Sequence, residues 1–187
     1  MNDRMPPLAA DKMTAAQRKA AEEMTAGPRK GVKGPFVPLL RSPELLSRTR
    51  ALGDYLRFRS ALPPRLSEFT ILLTARHWAQ NYEWDVHAPI AREAGVTTDT
   101  IAAILAGRRP SSLSDDEAVI YDFCDELQRT HAVTDATYAR ALARFGEKGV
   151  IDLVGIQGYY SLLAMVLNTA RTPVAPGHQP AFPSGAR

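Results

Sequence analysis

Signals that start and stop helices recur along the whole 187-residue chain, and no segment alternates polar and apolar residues convincingly enough for a β-strand. Thr14 and Gln17 match a capping box, in which a hydroxyl accepts from a helix amide while the later side chain reaches back. Ser114 and Glu117 match a second one. The sequence therefore predicts an all-α protein.

Glycine and proline divide the chain into separate predicted helices. Residues 27–38 hold too many of both for regular structure, so a loop is predicted there. Ser42 is expected to cap the helix that follows it, with Pro43 at the first helical position. The predicted helices are about 14–26, one from Pro43, one from Pro64, one between Gly95 and Gly107, about 115–130, about 135–146 and about 150–169.

The chain length fits one domain. We divide it into an N-terminal lead-in at 1–13, a helical domain at 14–171 and a proline-rich tail at 172–187. The tail is expected to wrap a surface or to be mobile. The single cysteine, Cys124, excludes an intramolecular disulfide, and the first residues lack the apolar run of a signal peptide. We therefore expect a cytoplasmic protein that does not span a membrane.

Positive charge is concentrated near the N-terminus. Residues 1–60 hold 12 Lys and Arg against 6 Asp and Glu, whereas 61–187 hold 11 against 14. This bias favours an anionic small molecule as a ligand. No block of basic residues and no basic-aromatic pattern is typical of nucleic-acid binding, so no nucleic-acid partner is expected.

A polar stripe carries the residues best suited to chemistry. Arg76, Gln80, Glu83 and His87 recur at helical spacing, and the aromatic residues around them predict that the stripe is partly buried. Glu83 and His87 are four residues apart, so the carboxylate can hold the imidazole and tune its charge. An ordinary ion pair on a helix surface remains an alternative interpretation.

Glu68 can join this pair only if the helix breaks. Glu68 and His87 are 19 positions apart, which would span roughly 28 Å in a straight helix. Asn81 is the expected break, because it can cap a second helix that starts at Tyr82. Glu83 would then lie in the first turn of that helix, where the dipole favours its ionised form.

Glu68 together with the segment 80–87, Gln-Asn-Tyr-Glu-Trp-Asp-Val-His, resembles the carboxymuconolactone decarboxylase and alkyl hydroperoxidase D (AhpD-like) superfamily. The resemblance covers roughly 14–172 and implies an AhpD-like bundle of about seven to eight helices. In the peroxidase branch a Cys-x-x-Cys pair falls where this chain has Gln80 and Glu83, which cannot form a thiolate or a disulfide. The decarboxylase branch is the more similar.

Resemblance to that branch implies a cofactor-free lyase that removes CO₂ from a small cyclic carboxylate or lactone. It also implies a role in the degradation of aromatic compounds. The resemblance implies that His87 delivers or accepts the proton, Glu68 orients it or acts as the partner base, and Glu83 sets its charge. The implied assembly is a homo-trimer or homo-hexamer. Arg76 or a basic residue of the 29–33 loop would hold the substrate carboxylate, and the other expected substrate-binding residues are Gln80, Tyr82, Trp84 and Phe36.

Three alternatives remain open from the sequence. Glu68, Glu83 and His87 could together hold a metal ion, although the helix lacks a usual metal-binding spacing and no metal is predicted. The chain could be an AhpD-like peroxidase-family member without the motif cysteines. It could also be a non-catalytic oligomeric protein that binds a ligand in the same pocket. Tyr159 and Asn168 are weaker candidates for the pocket wall.

Overall fold

The structure is a computed structural model that describes residues 2–183. Within that range the chain is entirely helical and contains no strand, which confirms the all-α prediction. A short 3-10 turn at Ala10–Lys12 precedes the first helix. The α-helices are α1 Ala15–Ala26, α2 Phe36–Leu39, α3 Pro43–Phe58, α4 Pro64–His77, α5 Asn81–Glu93, α6 Thr98–Leu105, α7 Asp115–Thr130 and α8 Asp135–Ala170.

Both predicted capping boxes form, at the starts of α1 and α7. Two other local predictions are wrong. The segment 27–38 is not wholly a loop, because Phe36–Leu39 forms a helical turn whose apolar residues are buried. Ser42 precedes α3 as expected, but its side chain makes no capping hydrogen bond, and Pro43 alone marks the helix start.

Helix α4 forms the centre of the core. Its residues 66–75 are all buried, and it packs against α5, α6, α7 and α8. Thr70 and Thr74 are accommodated there because their hydroxyls donate to the carbonyls of Leu66 and Thr70, at 2.8 Å and 2.9 Å. A helix that is apolar almost all round is thus enclosed by its neighbours, as its sequence predicts.

Helix α8 covers α4 and is interrupted once. Gly146 has φ 66° and ψ 174°, so the predicted helix end at this glycine is present, and the chain resumes helical geometry directly after it. Among the described residues, α8 is the one helix long and apolar enough to cross a membrane, with mean hydropathy 1.6. More than half of that apolar window, 56%, is buried inside the protein, as in a core helix.

The turn between α3 and α4 is tied to α8 by one buried carboxylate. Asp152 accepts hydrogen bonds from the Ala61 amide at 2.7 Å, the Tyr55 hydroxyl at 2.8 Å and the Lys148 ammonium at 2.7 Å. Because Asp152 lies on α8, this cluster fixes the end of α3 relative to α4 and α8. The cavity described below lies between these elements.

Both ends of the described chain pack onto the helices. The Arg4 amide donates to the Ala170 carbonyl at 2.8 Å. In the tail, Phe182 is buried and packs edge-to-face on Trp84, with ring centroids 5.4 Å apart. The tail up to residue 183 therefore wraps a surface, one of the two expected behaviours. Met1 and residues 184–187 of the predicted lead-in and tail lie outside the described residues, and the three-part division remains a prediction.

Candidate active site

A break between α4 and α5 brings the two parts of the polar stretch together. The chain leaves α4 after Trp78, and Ala79 adopts a positive φ of 45°. Gln80 then caps α5, its side-chain oxygen accepting from the Tyr82 amide at 2.6 Å. The predicted break is present, but the predicted cap was wrong. Asn81 is instead the first residue of α5, and its side chain binds the Phe182 backbone through two hydrogen bonds.

Glu68, His87 and Glu83 form a buried trio. His87 Nδ1 lies 2.7 Å from Glu68 Oε2, and His87 Nε2 lies 3.5 Å from Glu83 Oε2. Each residue is 5% exposed or less. The Tyr160 ring packs edge-on against the imidazole, with centroids 5.1 Å apart. Both imidazole nitrogens therefore face carboxyl groups in a site largely shielded from water.

Burial sets the direction in which the pKa of Glu83 shifts. The pKa of Glu83 is raised, first because the carboxylate loses its hydration and then because Glu68 carries a like charge. The charges of His87, Arg29 and Arg57 oppose this shift. The expectation that the helix dipole keeps Glu83 ionised is therefore wrong in direction, since desolvation outweighs a dipole effect of about 1 kcal/mol or less.

A cavity of about 230 Å³ opens onto one member of the trio. Glu68 lines it, whereas His87 and Glu83 lie behind. Arg57 and Phe58 at the end of α3 line the exposed side, and Phe58 is 57% exposed. The rest of the wall is mostly apolar and consists of Leu56, Pro64, Ser67, Ile71, Ile90, Ala94, Ile156 and Tyr160.

A second polar layer lies on the Glu83 side of the trio. The Tyr159 hydroxyl is buried and has no hydrogen-bond partner among the described residues. Burial raises the pKa of Tyr159 to about 12, against the opposing charge of Arg29. Gly53 makes room for this hydroxyl, because a Cβ there would lie 2.1 Å from it. Arg29 in turn binds Asp54 at 3.0 Å.

The structure separates the residues expected to bind substrate. Phe36 is buried beneath the Arg29 guanidinium, 4.8 Å from the ring centroid, so it belongs to this second layer. Tyr82 packs against Gly34, where a Cβ would lie 2.4 Å from its ring. Both residues thus lie on the side of the trio that faces the 29–36 segment.

The other three expected residues have different surroundings. Gln80 is buried and donates to Asn168 at 3.0 Å, besides capping α5. Trp84 packs on the tail residue Phe182. Arg76 lines a separate cleft and not the cavity of Glu68, so the expectation that it holds a carboxylate beside Glu68 does not agree with the structure.

Sequence reasoning missed the residues that shape the cavity. Arg57 is one of several arginines in α3, and Tyr160 lies on α8, about 70 positions from His87. Nothing in their local sequence distinguishes them from surface or core residues. For the layer around Tyr159, Gly53 gives a weak signal. A glycine inside a helix normally lowers helix stability by about 1 kcal/mol, so its presence indicates that a neighbouring group approaches closely.

Thiol and metal chemistry have little support in the described residues. Cys124 on α7 is fully buried, and loss of hydration raises the pKa of its thiol far above the usual range. No group of three or more His, Cys, Asp and Glu side chains within residues 2–183 is arranged to hold a metal ion. The trio itself pairs its imidazole nitrogens with carboxyl groups.

The fold and the trio define an all-α protein with a buried Glu-His-Glu site. Residues 43–121, from the start of α3 into α7, match the model of the carboxymuconolactone decarboxylase family, and this segment contains the whole trio. Over these residues the chain is similar to that family, and the match covers less than half of its length. No curated protein sequence matches it.

Three solved structures share the fold. An uncharacterized peroxidase-related protein from Ralstonia eutropha JMP134, described as an alkylhydroperoxidase AhpD core, is 16% identical with TM-score 0.73, covering 92% of each chain. The debrominase Bmp8 is 14% identical with TM-score 0.69, covering 94% of each. A protein from Agrobacterium tumefaciens, described as a putative antioxidant defence protein AhpD, is 16% identical with TM-score 0.60, covering 73% of this chain and 94% of its own.

Proposed function

We propose that this protein is a cofactor-free proton-transfer enzyme, a carboxy-lyase acting on a small cyclic carboxylate or lactone. The observation that carries the proposal is the buried trio, in which Glu68 faces an apolar cavity while His87 and Glu83 lie behind it. General acid-base catalysis needs a titratable group at the substrate and a proton source within hydrogen-bond reach of it. Glu68 is the group at the substrate, and His87 with Glu83 is the proton source.

The proposed reaction needs no oxidant. The bond between the ring carbon and its carboxylate breaks, CO₂ leaves, and the electron pair moves into the conjugated lactone. The His87 Nδ1 proton passes to Glu68 across 2.7 Å, and Glu68 delivers it to the carbon that carries the charge. Glu83, whose pKa is raised by burial, returns a proton to Nε2. The net change is a carboxylate and one proton converted to CO₂ and a carbon-hydrogen bond.

Arg57 is the proposed anchor for a negatively charged substrate. It lines the same cavity as Glu68, and its charge acts on the pKa values of Glu83 and Tyr160. The remaining wall is mostly apolar, so a substrate carboxylate placed there would lose hydration, which favours its departure as neutral CO₂. A small anion with an apolar ring therefore suits the cavity better than a sugar or a peptide.

Peroxide reduction is the less favoured function. Two of the structurally similar proteins have peroxidase-type descriptions and one is a debrominase, but at 14–16% identity they share the fold alone. Gln80 and Glu83 stand where a thiol pair would act, and Cys124 is buried on another helix. The buried trio therefore favours proton transfer over thiol chemistry in this proposal.

The test is turnover of a panel of carboxylated lactones and related cyclic acids, followed by ultraviolet absorbance and CO₂ release. Wild type is compared with Glu68→Gln and His87→Ala, and with Glu93→Gln as an exposed control on α5. We expect kcat/KM to fall on the order of 100-fold or more in the first two variants only.

Equal rates in all four proteins would overturn the assignment of the trio. A ligand that binds wild type but stays chemically unchanged after prolonged incubation would favour a non-catalytic binding protein. Peroxide reduction that disappears in Cys124→Ser would favour thiol chemistry. Circular dichroism of each variant separates loss of chemistry from loss of fold.

We further propose a cytoplasmic homo-trimer or homo-hexamer that associates through α8. Ile151, Val154 and Met165 lie along one face of that helix and are 69%, 40% and 44% exposed. Gly158 lies on the same face, and a Cβ there would meet no atom within 4 Å. An exposed apolar stripe with a small residue in it supports close approach of a second helix.

A further inference from the structure

A second cleft lies at the opposite end of α4 from the Glu68 cavity. Its volume is about 310 Å³, and it is bounded by the end of α4, the turn after α6 and one face of α7. Glu68 and Arg76 are eight residues apart on α4, which places them about 12 Å apart along the axis. The lining residues are Leu73, Arg76, His77, Ile104, Gly107, Arg108, Tyr121, Asp125 and Gln128.

Two arginines in this cleft have no carboxylate partner among the described residues. Arg76 and Arg108 form no ion pair, whereas the adjacent Arg109 binds Asp122. Asp125 is the acidic residue of the lining, and it lies 3.5 Å from Arg129. His77 adds no positive charge at neutral pH, because burial and then His131 lower its pKa. The cleft thus holds the guanidinium groups of Arg76 and Arg108, while its one carboxylate, Asp125, is already paired with Arg129.

Hydrogen-bond donors in the cleft are also unsatisfied. Arg76 Nε and Gln128 Nε2 are both buried and have no hydrogen-bond partner within residues 2–183. A buried donor without an acceptor costs about 1–3 kcal/mol, more for a charged group. Arg76 lies in the last turn of α4 and Arg108 in the turn just after α6, where the helix dipoles favour a cation, but a dipole supplies no acceptor to these donors. An acceptor is missing from the described residues.

The position of Arg76 is fixed on two sides. The Phe182 ring lies 5.6 Å from its guanidinium carbon, a cation-π distance. On the other side is Gly107, at φ 70°, where a Cβ would lie 2.7 Å from an Arg76 terminal nitrogen. Any other residue at 107 would displace the guanidinium and would be strained at that φ. The arginine is therefore preorganised without an acidic partner.

We infer that this cleft binds a small organic carboxylate at a site separate from the Glu68 cavity. The guanidinium fork matches the two oxygens of a carboxylate, and Gln128 supplies a further donor. Leu73 and Ile104 provide apolar wall for the body of the ligand, which a bare inorganic ion would leave unused.

The test is calorimetric titration with benzoate and, separately, with inorganic phosphate. All titrations use full-length protein with the Arg57→Gln substitution, so that the anion anchor of the Glu68 cavity is removed. Arg76→Gln or Arg108→Gln is then added to this background. The control adds Arg48→Gln instead, because the Arg48 side chain on α3 is 78% exposed. We expect saturable benzoate binding that each cleft variant weakens on the order of 10-fold or more, and that Arg48→Gln leaves unchanged.

Arg108 is exposed, so its substitution is not expected to disturb folding, and thermal unfolding of Arg76→Gln shows whether the Phe182 contact is lost with the charge. Absence of saturable benzoate binding in Arg57→Gln overturns the inference. So does unchanged affinity in either cleft variant. Binding of phosphate alone overturns the assignment of an organic carboxylate.

Discussion

His87 Nδ1 lies 2.7 Å from Glu68 Oε2, although 19 residues and a chain reversal separate the two. The reversal depends on Ala79, which adopts a positive φ, and on the Gln80 cap that starts α5. Because Glu68 alone of the trio lines the cavity, the proposed mechanism has the imidazole act on a substrate through this carboxyl group. This order of residues decides what each substitution should do.

Replacing the proposed anchor should affect binding more than chemistry. Arg57→Gln removes the positive charge that faces the cavity but leaves the trio in place. We expect KM for an active cyclic carboxylate to rise on the order of 10-fold without a fall in kcat, because Arg57 binds a carboxylate charge that is lost as CO₂ leaves. Steady-state kinetics measure both, with Arg59→Gln as the control on the neighbouring position. A larger fall in kcat than rise in KM would contradict an anchoring role.

The raised pKa of Glu83 makes stability dependent on pH. The folded state holds a proton on this carboxyl group above its ordinary pKa of 4.5, whereas the unfolded state releases it. Holding this proton therefore stabilises the folded state below pH 4.5. As pH rises through the folded-state pKa, this contribution to the free energy of unfolding is lost, by at most ~1.4 kcal/mol per pH unit. Glu83→Gln lacks the titration, so it should gain stability relative to wild type as pH increases.

Urea unfolding of wild type and Glu83→Gln at pH 4.5, 6 and 8 checks this prediction. The difference between their free energies of unfolding reports on Glu83, because the charged neighbours Glu68, His87, Arg29 and Arg57 are common to both proteins. A difference that stays constant across the three pH values, or that moves against the variant at high pH, would show that Glu83 is ionised in the folded protein.

Much of the fold could be predicted from the sequence because the signals are local. Capping boxes depend on residues three positions apart, and the all-round apolar sequence of α4 already requires burial. The need for a break before His87 follows from helix rise alone. The sequence predicts Asn81 as the cap because asparagine can cap a helix that starts at Tyr82, whereas in the structure Gln80 caps α5 and the tail engages Asn81.

The charge and the walls of the site could not be predicted, because they depend on distant packing. Tyr160 packs on His87 from α8, and burial raises the pKa of Glu83 despite the dipole of its own helix. Arg76 lies on the predicted polar stripe, yet the turn at Gly107 places it in the second cleft. The burial of Glu83 and the position of Arg76 both depend on how the helices pack against one another. The spacing of residues along one helix does not specify this packing.

Close packing around Tyr159 predicts the effect of a small substitution. Gly53→Ala should stabilise an isolated helix by about 1 kcal/mol, but its Cβ would lie 2.1 Å from the Tyr159 hydroxyl and 2.9 Å from Arg29. We expect net destabilisation of about 1–3 kcal/mol, because this part of the core must shift. Chemical denaturation of wild type and Gly53→Ala measures the change in the free energy of unfolding. A variant more stable than wild type would mean that the packing around Tyr159 has room to adjust.

The buried thiol should be chemically silent. Cys124 has no exposed surface, and loss of hydration raises the pKa of its thiol, so the reactive thiolate is scarcely formed. We expect wild type and Cys124→Ser to have the same rate in a peroxide-consumption assay, and wild type to resist alkylation by iodoacetamide until it is unfolded. Rapid alkylation of native protein would show that α7 opens enough to expose the thiol.

The exposed stripe on α8 predicts association that one charge disrupts. Ile151 is 69% exposed, more than any other large apolar side chain described, and a carboxylate buried there without a partner would cost on the order of 3 kcal/mol. Sedimentation velocity should show wild type as a trimer or hexamer and Ile151→Glu as a smaller species, its association weakened roughly 100-fold. Leu45→Glu, 45% exposed on α3, is the control and should sediment as wild type does. A monomeric wild type, or an Ile151→Glu variant of unchanged mass, would show that α8 is not the interface.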